Sequence, residues 1–417
     1  MCKCDLENTT LSNSPSIDND TCLYQIDPDL ENICCLLQQY LEVEGRLVVC
    51  VLGLVFNALV IILLLDRRLV NELFNRLLLC LVLIDNLYLL VVAADIWIYW
   101  LGRDEDLSLE QRYLSRVLYF FVVKPVRGMA RLSRIYMTVT LALQRYISIT
   151  KPLDIMMRDR QINKPTWTHT FKFTLPVLLF SIVYMIPEFF EFSIQRHNFE
   201  DIGNNTDLNH TVVLEKFVND GFTNISTEIV VSDLRKSDTY VLAYITVGNF
   251  IITGLIPLIL LAYFNFYIYQ GMRLFMKRRS ERRNGERDPE HSAEIRNQLN
   301  QTVILFAMVL IFILSNSLRI SMNISDWINL NITKRELAKD CTYRLPYWYM
   351  ISVPISQILM DLNSSVNFSI YCAFNNSFRS VINDHVGKIF EWCLPRNYCN
   401  QRSRHQDGDA EIILMRN

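Results

Sequence analysis

Seven long apolar stretches, separated by short charged segments, constrain this chain more than any other feature of its sequence. A helix needs about 20 apolar residues to cross a bilayer. The stretches are Leu47–Leu65, Leu77–Ile98, Val117–Leu143, Phe173–Phe192, Tyr240–Tyr269, Val303–Ile324 and Tyr347–Phe374. Backbone groups inside lipid must be hydrogen-bonded within the segment, which favours helices. The sequence therefore predicts an all-α fold, a seven-transmembrane helix bundle, and a membrane-bound protein.

The bundle takes up most of the chain. We expect an N-terminal segment at 1–45, the bundle at 46–376, a short amphipathic helix on the membrane surface at 377–393 and a disordered tail at 394–417. The net charge of −2 gives no indication of nucleic-acid binding.

The distribution of cations predicts the orientation. The segments after the first, third and fifth spans are rich in Lys and Arg, which the positive-inside rule places in the cytoplasm. The N-terminus is then extracellular, and the membrane is predicted to be the plasma membrane. Six glycosylation sequons fall on the predicted outer side, at Asn8, Asn19, Asn204, Asn209, Asn224 and Asn331.

Two further local patterns accompany this orientation. The long outer segment has β-branched runs at 211–214 and 229–231, which favour a β-hairpin there. Cys393 and Cys399 follow the predicted surface helix and are candidates for palmitoylation, with free thiols as the alternative.

The third span carries a stripe of cations. Lys124, Arg127, Arg131 and Arg134 recur at steps of three and four, so they share an arc of roughly 80° on a helix. Arg319 in the sixth span adds another cation. Buried charges need partners. The stripe either forms an internal network with Asp95, Glu188, Asp361 and Asp85, or partly binds an anionic group of a ligand.

Polar side chains also occur at membrane depth in other spans. Asn57, Asp85 and Asn367 lie in the first, second and seventh spans, where a polar residue is costly and marks function or an interhelical hydrogen bond. Together these three predict a polar pocket able to hold a cation.

At this point the chain resembles the rhodopsin-like family of G-protein-coupled receptors. The matching residues are Gly53-Leu54-Val55-Phe56-Asn57, Leu81-Val82-Leu83-Ile84-Asp85, Gln144-Arg145-Tyr146, Pro257 with Tyr267, and Asn367-Phe368-Ser369-Ile370-Tyr371. Within that family it is most similar to invertebrate FMRFamide-type peptide receptors, through Met185–Glu191, Ser237–Tyr240 and Asn363–Phe368.

The resemblance implies an extracellular peptide ligand, a heterotrimeric G protein as partner and no cofactor. Coupling is expected from Gln144, Arg145, Tyr146, Tyr267 and Tyr371, and the polar pocket is expected to hold sodium. Ligand contacts are expected from the outer charged residues Lys124, Arg127, Arg131, Glu188, Arg319 and Asp361.

Three departures from the family pattern stand out. Gln144 replaces the usual acidic neighbour of Arg145, which predicts a looser inactive state. The usual prolines of the sixth and seventh spans are missing, and Phe368 holds one of these positions. The usual loop disulfide cannot form, because the outer end of the third span and the segment Ser193–Asp238 contain no Cys.

One other class of function remains open at this stage. A seven-span transporter or ion-conducting protein would also bury Arg and Asp along a translocation path. We do not expect an enzyme, because the spans show no catalytic motif.

Overall fold

The computed structural model describes residues 36–37, 40–67, 69–103, 108–150, 167–198, 213–218, 225–281, 289–337, 347–374 and 378–384. All seven predicted spans are helical within these ranges, as the fold prediction requires. We call the half of the bundle nearer Phe192 the outer half and the half nearer Arg145 the inner half.

Five of the spans, the first, third, fourth, fifth and seventh, consist of more than one helical segment, whereas the second and sixth are single helices. The first is Arg46–Leu64, entered through the π-helical segment Tyr40–Gly45, and the second is Leu73–Arg103. The remaining helical segments, in chain order, are Leu109–Leu118, Tyr119–Val123 (π), Lys124–Thr150, Trp167–Met185, Ile186–Phe190 (3₁₀), Asp233–Lys236, Asp238–Tyr240, Val241–Gly248 (π), Phe250–Leu255 (π), Ile256–Glu281, Pro289–Leu337, Tyr347–Ser365 and Asn367–Phe374. The π-helical segments all lie in the outer half. Such segments accumulate at functional sites.

Local chemistry explains several boundaries. The third span begins earlier than predicted, because Ser108 and Gln111 form a reciprocal capping box that starts a helix at Leu109. The sixth helix extends well beyond its apolar stretch at both ends. Helical hydrogen bonding continues there into polar sequence, which apolar length alone does not predict.

Within the described residues, five helices are long and apolar enough to cross a membrane by length and composition alone: Tyr40–Leu64, Leu73–Ile98, Trp167–Phe190, Asp238–Gly271 and Thr302–Ser325. The third and seventh spans are not among them. The third carries its stripe of cations, and the seventh contains Asp361, Asn363 and Ser364. These two helices are packed among the apolar ones, so their polar faces meet protein rather than lipid.

The segment between the fourth and fifth spans, which we call the outer loop, contains a three-stranded antiparallel sheet. Its strands are β1 (Phe192–Asn198), β2 (Val213–Val218) and β3 (Ile225–Val231), in the order β1-β3-β2. The predicted hairpin is confirmed as β2–β3, with register pairs that include Val213 with Val230. The third strand, β1, was not predicted, since it begins directly at the end of the fourth span.

The main hydrophobic core lies in the inner half, between the first three spans and the last three. It includes Phe378 and Val381, so 378–384 is a helix whose apolar side packs on the bundle. The rest of the predicted surface helix lies outside the described residues. Gly53 lets the first and seventh spans approach closely, because a Cβ there would lie 2.2 Å from Ser365 Oγ.

Candidate functional site

The outermost cation of the stripe ties the third span to the loop. Lys124 forms an ion pair with Glu191, which is buried. Arg235 donates to the same carboxylate at 2.7 Å and Tyr240 at 3.1 Å. Ser232, which directly follows β3, adds a backbone hydrogen bond to Glu191, since its backbone N donates to Glu191 O at 3.0 Å. We call Lys124, Glu191, Arg235 and Tyr240 the outer clasp.

The next cation, Arg127, is paired with Asp95 of the second span. Arg46 lies 3.9 Å from the same carboxylate, and its Nε donates to Asp361 Oδ2 at 2.8 Å. Tyr88 donates its hydroxyl to the other oxygen of Asp361 at 2.8 Å. Asp361 was expected to contact ligand, but in this structure it is fully buried and both of its oxygens accept hydrogen bonds from the chain itself.

The innermost cation, Arg134, is built into the predicted polar pocket. It donates to Ser364 Oγ and, at 2.9 Å, to the backbone oxygen of Met360. Its guanidinium also lies over the ring of Tyr88, 4.5 Å from the centroid. Arg134 therefore has side-chain, backbone and aromatic partners, although its Nε, like that of Arg131, is buried without an acceptor among the described residues.

Asp85 lies on the other side of Ser364. Its two carboxylate oxygens accept hydrogen bonds from Ser364 Oγ at 3.0 Å and Asn367 Nδ2 at 2.8 Å. Asn57 donates to the backbone oxygen of Ser364 at 2.9 Å. The predicted association of Asn57, Asp85 and Asn367 is thus present in the structure, with Ser364 as the residue that joins them.

A positive charge of the chain already lies at the pocket that was expected to hold sodium. The adjoining cavity, lined in part by Asp85, Arg134 and Asn363, has a volume of about 10 Å³, enough for about one water molecule. The guanidinium of Arg134 already supplies a positive charge that attracts the Asp85 carboxylate. A second cation would be repelled there. The residues expected to hold the ion are together in the structure, and the guanidinium of Arg134 is joined to them through Ser364.

Arg131 and Arg319 differ from these cations, because neither has such partners among the described residues. Among the described residues, neither Arg131 nor Arg319 forms a hydrogen bond or an ion pair, and the Nε of Arg131 is buried without an acceptor. Arg131 exerts the largest electrostatic repulsion on Arg319. Glu188 attracts Arg131 without forming an ion pair with it. Gly128 makes room for this carboxylate, since a Cβ there would lie 2.9 Å from Glu188 Oε2.

The charges of this interior can be counted in two groups. The connected network that joins Asp95 to Asp85 contains three cations and three carboxylates: Arg46, Arg127, Arg134, Asp85, Asp95 and Asp361. It is balanced. The second group has two cations, Arg131 and Arg319, and one carboxylate, Glu188. Its formal charge is +1, which is also the formal charge of the outer clasp, where Lys124 and Arg235 share the single carboxylate of Glu191.

The predicted coupling residues lie at the inner end. Arg145 is buried, with its guanidinium 3.9 Å from the ring centroid of Phe74. Gln144 donates to Ser148 Oγ at 3.1 Å, within its own helix. Its side-chain oxygen is buried and has no hydrogen-bond partner within the described residues. Gln144 therefore does not accept a hydrogen bond from Arg145 through its side-chain oxygen.

The three tyrosines of this set make aromatic contacts. The Tyr146 ring lies 6.0 Å from that of Tyr267 and 5.6 Å from that of Phe264. Tyr371 is fully buried against Phe378 at 5.7 Å between ring centroids. These contacts join the third span to the fifth, and the seventh to 378–384.

Sequence reasoning missed three residues of the network: Arg46, Tyr88 and Ser364. A signal existed for Arg46, because it is a lone cation at the start of an apolar stretch. Ser364 and Tyr88 gave none, since Ser and Tyr are common in spans. The predicted sites at Asn8, Asn19, Asn204, Asn209, Asn224, Cys393 and Cys399 lie outside the described residues, and the described helix Pro289–Leu337 contains Asn331.

Two comparisons with known proteins bear on this arrangement. The family model described as serpentine type 7TM GPCR chemoreceptor Srw matches residues 44–388. An FMRFamide receptor of Drosophila melanogaster is 27% identical over 263 residues, which cover 62% of this chain and 38% of that receptor. The chain thus matches less than half of the relative's length.

Proposed function

Because this chain belongs to the Srw family of serpentine seven-transmembrane G-protein-coupled chemoreceptors, we propose that it is a plasma-membrane neuropeptide receptor. Its N-terminus is extracellular and it signals through a heterotrimeric G protein. The peptide class rests on similarity to the Drosophila FMRFamide receptor and on the motifs shared with such receptors. The orientation rests on the cationic segments after the first, third and fifth spans.

The observation that carries this proposal is the state of Arg145. The side chain is buried at the inner end of the third span and rests on Phe74, next to the aromatic contacts of Tyr146. An arginine that served only as a membrane anchor would extend to water. A buried one can be released when the helices rearrange, and its charge is then exposed to a partner on the inner side.

The proposed ligand-bound state is a shift of the helices around the charged interior. The network of Arg46, Arg127 and Arg134 connects the first, second, third and seventh spans. A ligand that binds more strongly to one arrangement of these spans shifts the population toward it. Family membership weighs against the transporter alternative, and no observation on the described interior favours a translocation path.

The test is second-messenger output in cells that express the wild type or Arg145→Ala, each exposed to a panel of amidated and acidic peptides. We expect peptide-evoked output from the wild type and its loss in Arg145→Ala at equal surface expression. Lys172→Ala is the matched control, because it removes an exposed cation of the fourth span. Equal output from wild type and Arg145→Ala would contradict the coupling role.

The orientation and modification proposals can be tested separately. Glycosidase treatment of the cell-surface protein should increase its electrophoretic mobility, and replacement of Asn204, Asn209 and Asn224 by Gln should remove about half of that shift, since three of the six predicted sites remain. Labelling with a palmitate analogue should depend on Cys393 and Cys399. An N-terminal epitope tag should be accessible to antibody in intact cells.

A further inference from the structure

We propose that the carboxylate of Glu188 binds a primary carboxamide group of the ligand. The inference rests on the proposed function, since it names a chemical group of the ligand that the receptor detects. Glu188 lies in the 3₁₀ segment Ile186–Phe190, at the outer end of the fourth span, and only 9% of it is exposed. Within the described residues, no group of the chain donates a hydrogen bond to this carboxylate or forms an ion pair with it.

Glu188 differs in this respect from the other buried carboxylates of the described residues. Those are Asp85, Asp361 and Glu191, and each accepts a hydrogen bond at both of its oxygens. The donors, in the same order, are Ser364 with Asn367, Tyr88 with Arg46, and Tyr240 with Lys124 and Arg235. A buried acceptor without a donor is destabilising. Stability is often sacrificed at binding sites, where a ligand supplies the missing interaction.

The groups that surround this carboxylate come from three spans. A Cβ on Gly128 of the third span would lie 2.9 Å from Glu188 Oε2 and 3.0 Å from Met185 Sδ. The hydroxyl of Tyr244 in the fifth span lies 4.0 Å from the same sulfur. That hydroxyl donates its one hydrogen to the backbone oxygen of Tyr184 at 2.7 Å. The nearby side chains of the fourth and fifth spans therefore leave the oxygens of Glu188 for a donor from outside the chain.

The charges around Glu188 favour a neutral donor over a cationic one. Arg131 and Lys124 attract its carboxylate from the third span, although neither forms an ion pair with it. These two cations would repel a guanidinium or ammonium group of a ligand. A ligand carboxylate would be repelled by Glu188 itself. A primary carboxamide has two N–H donors and no charge, so it supplies hydrogen bonds without adding to either repulsion.

The first experiment asks whether Glu188 is unsatisfied, and it needs no ligand. Thermal unfolding of the purified receptor in detergent is measured for the wild type, Glu188→Gln and Asp361→Asn. The Tm of Glu188→Gln should stay level or rise, whereas Asp361→Asn removes the partner of a buried arginine and should lower it. A fall for Glu188→Gln as large as that for Asp361→Asn would overturn the proposal, because it would show that the folded chain already binds this carboxylate.

The second experiment uses N-acetylphenylalaninamide as a direct probe of the site. This neutral amide should raise the Tm of the wild type, and N-acetylphenylalanine methyl ester, which lacks the NH₂ group, should not. Glu188→Leu should lose the difference between the two compounds. Glu110→Gln is the matched control and should keep it, because it removes an exposed carboxylate of the helix Leu109–Leu118. An equal amide effect in the wild type and Glu188→Leu, or none in either, would overturn the proposal.

Peptide probes then distinguish two sources of the carboxamide. Phe-Met-Arg-Phe is compared as its C-terminal amide, methyl ester and free acid, and Asn-Phe-Met-Arg-Phe methyl ester is compared with its Leu counterpart. We expect the carboxamide to raise potency on the wild type roughly tenfold or more. A gain from the C-terminal amide identifies the end of the peptide, and a gain from Asn identifies a side chain. Glu188→Gln should narrow the preference for amide over free acid, because the new NH₂ group can donate to a carboxylate.

The outcomes separate this inference from the proposed function. Peptide-evoked output with equal potency for the amide, the ester and the free acid, unchanged in Glu188→Gln, would overturn the carboxamide site and support the peptide receptor. An amide-specific rise in Tm that depends on Glu188, combined with no peptide-evoked output, would support the site and contradict the peptide receptor.

Discussion

Arg131 and Arg134 lie on the same helix within one turn of each other, yet their side chains have different contacts. Arg134 bonds to Ser364 and Met360 and stacks on Tyr88. Arg131 has no hydrogen bond or ion pair within the described residues, and the charge of Arg319 repels it. The inner position is a closed network of chain atoms. The outer position is a charge that Glu188 attracts without an ion pair.

This difference shows that one sequence pattern can serve two purposes. The seventh span supplies Ser364 and a backbone oxygen to Arg134, so that cation acts as a fixed part of the bundle. The sixth span supplies Arg319, whose charge repels that of Arg131, and no described residue forms an ion pair with Arg131. The helical period that placed the four cations on one face could not tell these cases apart, because the distinction lies on neighbouring helices.

The largest expected effect comes from the same substitution at the two positions. Arg134→Met leaves the buried carboxylate of Asp85 without a compensating charge, and we expect it to destabilise the protein by about 3–5 kcal/mol. Arg131→Met removes an unpaired charge, so the Tm should stay level or rise. Thermal unfolding in detergent and surface expression measure both. A similar loss in the two variants would show that Arg131 has a partner in the folded protein.

A second prediction concerns the outer clasp, which joins the third span to the loop where this chain has no Cys. Glu191 is shared by Lys124 and Arg235, so the ion pair stands where a disulfide is absent. A double-mutant cycle with Lys124→Met and Glu191→Gln should give a coupling of about 1–3 kcal/mol. The loop between β1 and β3 should also become more sensitive to protease in each single variant.

The control for the clasp is Lys236→Met. Lys236 lies in the same loop, 3.7 Å from the fully exposed Asp233. A surface pair of this kind contributes little, so protease sensitivity should not change. Strictly additive effects of Lys124→Met and Glu191→Gln would show that the two side chains do not stabilise each other.

Much of this arrangement could be predicted from the sequence, and the limit has a physical cause. Apolar length predicts helices, and a period of three and four places Lys124 and Arg134 on one face. The pair of Arg127 with Asp95 was among the combinations expected. The pairing of Arg46 with Asp361 was not predicted, because it joins residues 315 positions apart in the chain. Such contacts depend on how the spans pack, which local patterns do not specify.

The third prediction tests whether Arg134 stands in for a metal ion. The Tm of the wild type should be the same in sodium chloride and choline chloride, because the guanidinium already neutralises Asp85. Arg134→Ser removes that charge and leaves the oxygens of Asp85 and Ser364 free to bind sodium. Sodium should therefore raise the Tm of Arg134→Ser by a few degrees, on the order of 1 kcal/mol of binding linkage.

Its control is Arg134→Ser combined with Asp85→Asn. The double variant has no carboxylate at the site, so its Tm should not depend on sodium. Sodium dependence of the wild type would contradict the idea that Arg134 replaces the ion, since the pocket would then bind sodium despite the guanidinium.

The smallest expected effect lies at the inner end of the third span, where Gln144 replaces an acidic neighbour of Arg145. Within the described residues, the Gln144 side-chain oxygen is buried without a hydrogen-bond partner, and the Arg145 guanidinium lies over the ring of Phe74. Gln144→Glu introduces a carboxylate beside Arg145 and should stabilise the inactive arrangement by about 0.5–1 kcal/mol, since a charged pair is stronger than a neutral amide contact. Ligand-free second-messenger output should then fall roughly two- to fivefold.

Gln144→Met separates the charge from the loss of the amide. It removes the hydrogen bond to Ser148 without adding a carboxylate, so ligand-free output should not fall. A drop of the same size in both variants would show that the amide itself holds the active arrangement. A fall confined to Gln144→Glu would mean that a carboxylate beside Arg145 stabilises the inactive arrangement more than the amide does. The closed network around Arg134 would then be the rigid part of the bundle, between two ends that respond to partners.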